Sequence, residues 1–112
     1  MRFAYRDLGE QRGGTTVAFH LRGSAANVLL LNRRNYAFYR AGRPFLYTGG
    51  HYTRSPVELT IPEDGHWYAV VDLGGYRGKV RATVEVLAAG GTPSEAASEA
   101  LEEEDREAPS AA

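Results

Sequence analysis

The chain has 112 residues, of which 43% are hydrophobic and 24% charged, with a net charge of −1 and no cysteine. This is the length of one domain, and the lack of cysteine excludes disulfides and thiolate metal sites. No apolar run comes near the roughly 18 residues of a membrane helix, and the N-terminus lacks a signal-peptide stretch. We therefore expect a cytoplasmic protein with no membrane partner.

Residues 1–87 carry the alternating pattern of half-buried strands. Apolar and polar side chains alternate along Thr16–Arg22, Val57–Ile61 and Val80–Val86, which is typical of strands with one face in a core. The continuous apolar run within Asn27–Asn32 predicts a strand buried on both faces. Together these runs predict an all-β fold, an antiparallel β-sandwich. The predicted turns are Gly13-Gly14, Gly23-Ser24, Gly49-Gly50, Pro62–Gly65 and Gly74-Gly75.

Residues 33–43 break this alternation. Tyr36, Tyr39 and Arg40 lie at helical spacing, and Gly42 is a suitable C-terminal stop. The segment predicts one short helical turn near residues 34–41.

The stretch from His66 to Leu73 predicts the last hairpin. Its odd positions, among them Trp67 and Val71, are expected to face the core, and its even positions to face outward. If this strand pairs with the next one, Asp72 lies opposite Arg81 or Lys79, so a surface ion pair is favoured over a catalytic carboxylate. The residues expected to be buried are Phe19, Leu30, Trp67, Val71 and Val84.

The composition changes after Leu87. Residues 88–91 read as a linker, and Thr92–Glu95 is a capping box with proline at the first helical position. Leu101 is the one large apolar residue of the segment that follows, so a helix there would have no face to bury. We expect residues 88–112 to be a flexible acidic tail that is disordered or marginally helical.

A combined pattern of short stretches also runs through the body: Ala26-Asn27-Val28, Asn35-Tyr36, Tyr39, Gly42-Arg43, Gly49-Gly50-His51-Tyr52, Ser55-Pro56-Val57, Gly65-His66-Trp67-Tyr68, Val71-Asp72-Leu73-Gly74-Gly75-Tyr76, Gly78 and Val80-Arg81. This pattern over residues 1–87 resembles DUF1883, a bacterial family of small uncharacterised domains. The resemblance implies a compact all-β domain with no established reaction. Similar domains occur joined to TIR domains, which implies a recognition or regulatory module.

The charges are segregated along the chain. Residues 88–112 hold seven acids and one base, a net of −6, and residues 1–87 hold 12 bases and seven acids, a net of +5. The body contains an acid-free stretch with seven arginines from Gln11 to Val57. A tethered acidic tail could cover the basic Arg33–Tyr52 surface and compete with an anionic ligand, or it could be a solubilising tail that never docks.

Arginine and aromatic residues are interleaved from Arg33 to Tyr52. Guanidinium groups and aromatic planes suit phosphates, single-stranded nucleic acid and sugars, although part of this pattern could be core or a solvated basic face. The candidate ligand-binding residues are Arg34, Tyr36, Tyr39, Arg40, Arg43, His51 and Tyr52.

Catalytic motifs are lacking. The three histidines, His20, His51 and His66, have no metal-site spacing, and there is no Gly-x-Ser-x-Gly nucleophile motif. We expect no enzyme, no metal and no cofactor. The leading function is a non-catalytic recognition module of unknown ligand, with an Arg/Tyr-rich surface suited to anionic ligands, nucleic acid or sugars. The alternatives are a structural or protein-interaction domain and, third, a small hydrolase.

Overall fold

The computed structural model describes residues 2–74, 78–87 and 99–105, with backbone alone in the strands of the last segment. These residues form two antiparallel sheets and one short helix, which confirms the predicted sandwich. Sheet A has the order β4-β3-β6-β1-β9 and sheet B the order β5-β2-β7-β8. The elements are β1 (Arg2–Gln11), β2 (Thr16–Gly23), β3 (Ala26–Asn32), α1 (Arg33–Arg40), β4 (Thr48–Tyr52), β5 (Val57–Thr60), β6 (Gly65–Asp72), β7 (Val80–Leu87), β8 (Glu99–Ala100) and β9 (Glu102–Asp105).

The inner core lies between the two sheets. Sheet A contributes the odd positions of β6, with Trp67 only 4% exposed, and sheet B contributes Phe19 and Val84. All five residues predicted to be buried are buried. The strands of the two sheets present their apolar faces to one another, and this packing excludes water from the interior of the sandwich.

A second apolar layer covers the other face of sheet A. Helix α1 packs there, and its Tyr36 and Tyr39 lie with Phe3, Leu31 and other apolar residues in an outer cluster. Because sheet A is covered on both faces, β3 is buried on both faces as predicted. The outer cluster consists of Phe3, Leu29, Leu31, Tyr36, Tyr39 and Val70, with Tyr5, Phe45 and Tyr68 at its margin.

The α1 helix begins and ends as its sequence dictates. The Asn32 side chain caps the N-terminus by accepting from the Asn35 amide at 2.9 Å. At the C-terminus the Arg43 amide donates to the Phe38 carbonyl at 2.9 Å, and Gly42 takes a φ of 69°. Within the described residues, no helix is long and apolar enough to cross a membrane.

The predicted pairing of β6 with β7 is wrong. Strand β6 lies in sheet A between β3 and β1, whereas β7 lies in sheet B, so the connection between them passes from one sheet to the other. Asp72 stands opposite Asn27 and Phe3 and is 5% exposed. It does face away from the inner core, as the alternation requires, but α1 covers that face. The surface ion pair with Arg81 or Lys79 is therefore also wrong.

A glycine allows the edge strand β4 to lie against β3. Gly49 has a φ of +134°, and a Cβ there would lie 1.9 Å from the Val28 carbonyl oxygen. A side chain at this position would collide with the neighbouring backbone, so glycine is required. Gly49 and Gly50, predicted as a turn, belong to a strand.

The described part of the tail is extended. Residues 99–105 run as β8 and β9 along β7 and β1, where the sequence predicts disorder or a marginal helix and suggests the Arg33–Tyr52 surface as a docking place. An unpaired sheet edge offers backbone partners to any nearby chain, which outweighs the weak strand propensity of Glu and Ala. The linker at 88–91, the capping box at 92–95 and residues 106–112 lie outside the described residues.

Candidate functional site

The fold separates the seven predicted ligand-binding residues into three groups. Arg34, Arg40 and Arg43 are exposed on and just after α1, while Tyr36 and Tyr39 are buried beneath it. The β4 residues point to opposite faces of sheet A: His51 is exposed on the outer face, and Tyr52 packs against the inner core. The set does not form one surface.

Two arginines flank one aromatic ring on α1. The guanidinium carbon of Arg34 is 5.4 Å from the centre of the Phe38 ring, and that of Arg43 is 5.8 Å from the same centre. Arg34 lies one helical turn before Phe38, and the C-terminal turn brings Arg43 back to the Phe38 carbonyl. The ring attracts both cations, so each guanidinium group is held against Phe38.

The loop after α1 adds exposed apolar surface. Leu46 is 78% exposed and Tyr47 is 54% exposed. The Asn35 side chain accepts from the Leu46 amide at 2.8 Å, and the Phe45 ring lies 5.1 Å from the Tyr39 ring. These contacts attach the loop to the helix. We call the combined area the basic helix surface: Arg33, Arg34, Arg40, Arg43, Leu46 and Tyr47.

Aromatic side chains pack beneath this surface. Tyr36 stacks on Tyr68 with ring centres 3.9 Å apart and planes 5° from parallel. Tyr39 is fully buried and meets Phe3 edge-on at 5.0 Å. The two predicted tyrosines therefore position α1 on sheet A, and Tyr39 offers no surface to a ligand.

A row of hydrogen-bonded side chains crosses the outer face of sheet A at the C-terminal end of β6. Asn27 donates through Nδ2 to Asp72 Oδ1 at 2.8 Å, and its Oδ1 lies 3.1 Å from His51 Nδ1. Since that amide oxygen only accepts, His51 carries a proton on Nδ1 and donates it. Asp72 also accepts from the Gly74 amide at 2.8 Å and from the Tyr39 hydroxyl. The row links exposed His51 to the base of α1.

An interaction between His66 and Asp7 lies beside the start of α1. His66 Nε2 is 2.6 Å from Asp7 Oδ1, and His66 Nδ1 is 3.5 Å from an Arg33 guanidinium nitrogen. Because arginine only donates, Nδ1 accepts and Nε2 donates to Asp7. Among the described residues, no group of three or more His, Asp or Glu is arranged to hold a metal ion.

A cleft of about 350 Å³ opens where β1, β6 and β7 come together. Its walls are largely apolar, and Asp72 lies on one side. The cationic residues that line it are Arg2, Lys79 and Arg81.

Sequence reasoning left three residues outside the candidate site, for two reasons. Asn27 precedes an apolar run and Asp72 follows one, and a polar residue at the end of a strand is usually expected to be exposed, so only the covering helix reveals them. Leu46 lacked any periodic pattern, but a leucine between Pro44 and Gly49 in a loop is a usable signal for exposed apolar surface.

The comparisons with known proteins give a family. No curated protein and no solved structure matches this chain. The family model described as a domain of unknown function, DUF1883, matches residues 1–90. That range spans β1 through β7, including α1 and the row from His51 to Tyr39. The chain therefore belongs to the DUF1883 family, as the residue pattern of its body indicated.

Proposed function

We propose that this domain is a non-catalytic recognition module that binds single-stranded nucleic acid through the basic helix surface. The observation that carries the proposal is the Arg34–Phe38–Arg43 arrangement, in which two exposed guanidinium groups are held near one ring. Within the described residues neither arginine has a carboxylate partner. Guanidinium groups fixed in this way are suited to bidentate contacts with phosphate oxygens.

Tyr47 and Leu46 supply the second requirement of such a ligand. Tyr47 is half exposed and lies 5.6 Å, centre to centre, from the Phe45 ring that ties the loop to Tyr39. An exposed aromatic on the loop that follows the arginines of α1 suits base stacking, which contributes about 1–3 kcal/mol per base. Leu46, 78% exposed on the same loop, adds apolar surface beside Tyr47.

The test compares two double variants that remove the same charge. Fluorescence anisotropy of a labelled oligothymidylate is measured against Arg34→Gln/Arg43→Gln and against Arg12→Gln/Arg22→Gln, whose arginines are exposed away from α1. Losing two phosphate contacts lowers the slope of log K against log salt by about 1.4 for a single strand. We expect the first double variant to lower the slope by this amount and the second to change the slope by less than about 0.3.

Stacking has its own readout. Tyr47→Leu should weaken binding about five-fold or more at all salt concentrations, because stacking is not a charge effect, whereas Tyr47→Phe should bind as the wild type does. Equal losses for the two double arginine variants, or no difference between Tyr47→Leu and Tyr47→Phe, would refute the proposal and leave a nonspecific basic surface.

A further inference from the structure

One side of the sandwich is closed by residues outside the family match. In residues 1–90 the strand β1 ends sheet A and β7 ends sheet B, both on the same side. Strand β9 is added to β1 and strand β8 to β7. The segment 99–105 thus occupies the edges of both sheets, although each edge belongs to the family domain.

The pairing has a definite register. Along β1, Arg2 stands opposite Asp105 and Tyr5 opposite Glu102. Along β7, Thr83 stands opposite Ala100. Leu101 lies where the chain crosses from one sheet to the other, donates its amide hydrogen to the Ala82 carbonyl at 3.3 Å and packs against the inner core.

The surroundings favour an acidic segment. Segment 99–105 contains five acids and no base by sequence. The adjacent cleft is lined by Arg2, Lys79 and Arg81, so the edge carries positive charge where the segment carries negative charge.

We propose that the β1/β7 edge is a strand-accepting surface for an extended acidic peptide with one leucine at the crossing point, and that segment 99–105 is its resident occupant. Recognition at a sheet edge takes affinity from main-chain hydrogen bonds and specificity from a side-chain pocket. Here the Leu101 position supplies the pocket contact and the acids supply charge complementarity. An acidic peptide of a partner binds by displacing the resident segment.

The resident segment is suited to displacement. Strand β8 has two residues and β9 has four, and Leu101 is the single described side chain of the segment that joins the core. Short elements with few buried contacts open at low free-energy cost. A partner of the same chemistry can therefore compete without unfolding the sandwich.

The first test opens the edge in the full chain. The probe is a fluorescent peptide that copies residues 97–107, and its binding is followed by anisotropy. Leu101→Asp places a charge against the core and should release the resident segment, so this variant should bind the probe at least tenfold more tightly than the wild type does. Thr60→Asp, which adds the same charge at an exposed position of β5 on the opposite edge of sheet B, should bind as the wild type does.

The second test locks the edge. The chain has no cysteine, and directly opposed strand residues have Cα atoms about 4.5–5.5 Å apart, within disulfide range. Oxidised Thr83→Cys/Ala100→Cys should lose probe binding, and reduction should restore it to the wild-type level. A probe with aspartate in place of its leucine should bind no variant.

Three results would overturn the proposal: failure of the two cysteines to form a bond, equal probe binding by the oxidised and reduced protein, or no gain for Leu101→Asp. Oligothymidylate binding is measured separately on the same variants. Failure of this proposal can therefore be distinguished from failure of the nucleic-acid proposal.

Discussion

Asp72→Ala should be among the most destabilising changes at a polar residue of this domain. The carboxylate is 5% exposed and accepts hydrogen bonds from Asn27, the Gly74 amide and the Tyr39 hydroxyl. A bond to a buried charged group contributes about 1.5–3 kcal/mol, and an ordinary one about 1 kcal/mol. The Tyr39 bond is buried, whereas the Asn27 and Gly74 bonds are partly exposed to solvent. Counting the first as a bond to a buried charge and the two others as ordinary bonds gives a loss of about 3.5–5 kcal/mol.

The isosteric variant separates charge from hydrogen bonding. Asp72→Asn keeps one oxygen for Asn27 and Gly74, and the Tyr39 hydroxyl can turn to accept from the new amide. Its loss should be about 1–2 kcal/mol, the difference between a charged and a neutral acceptor. Tyr39→Phe should lose about 1.5–3 kcal/mol in the wild type and little in the Asp72→Ala background.

Urea unfolding followed by fluorescence measures these losses directly, because Trp67 is the single tryptophan and is buried. The matched control is Asp64→Ala, which removes an exposed carboxylate that accepts one hydrogen bond, from the Gly13 amide at 2.8 Å. The control should lose about 1 kcal/mol or less. An Asp72→Ala loss within about 1 kcal/mol of the control would refute the buried row.

Two further changes test the packing. Gly49→Ala should destabilise the domain by more than about 2 kcal/mol, because its Cβ meets the Val28 carbonyl oxygen and φ is positive. The control Gly50→Ala, whose Cβ has no atom nearer than 3.9 Å, should lose less than about 1 kcal/mol. Equal melting temperatures for the two variants would contradict the position of β4. Trp67→Ala should lose about 3–5 kcal/mol, and since it removes the fluorophore its unfolding is followed by circular dichroism; near-wild-type stability would place Trp67 outside the core.

Patterns within one strand were predictable from the sequence. The alternation in β2, β5 and β7 and the continuous apolar run in β3 each record which faces are buried, and the tyrosine spacing with Gly42 records the extent of α1. These patterns are local to one strand or helix, so they can be interpreted without knowing which strands are its neighbours.

The pairing of the strands with one another was not predictable from the sequence. Alternation in β6 places Asp72 on the face away from Trp67 but does not reveal that α1 covers that face, nor that β6 and β7 belong to different sheets. Strand β4 contains two glycines and the tail strands are mainly Glu and Ala, so their propensities argue against the strands that tertiary pairing produces.

The position of β1 in sheet A has a consequence for synthesis of the chain. Strand β1 leaves the ribosome before the other strands of this domain, yet its neighbours are β6 and β9, with Phe3 opposite Asp72. At translation rates of about 5–20 residues per second, β1 waits several seconds for β6 to emerge. During that interval its apolar positions, Phe3 and Tyr5 among them, are free to associate with other nascent chains. Slower translation would lengthen the wait and lower the yield of native protein.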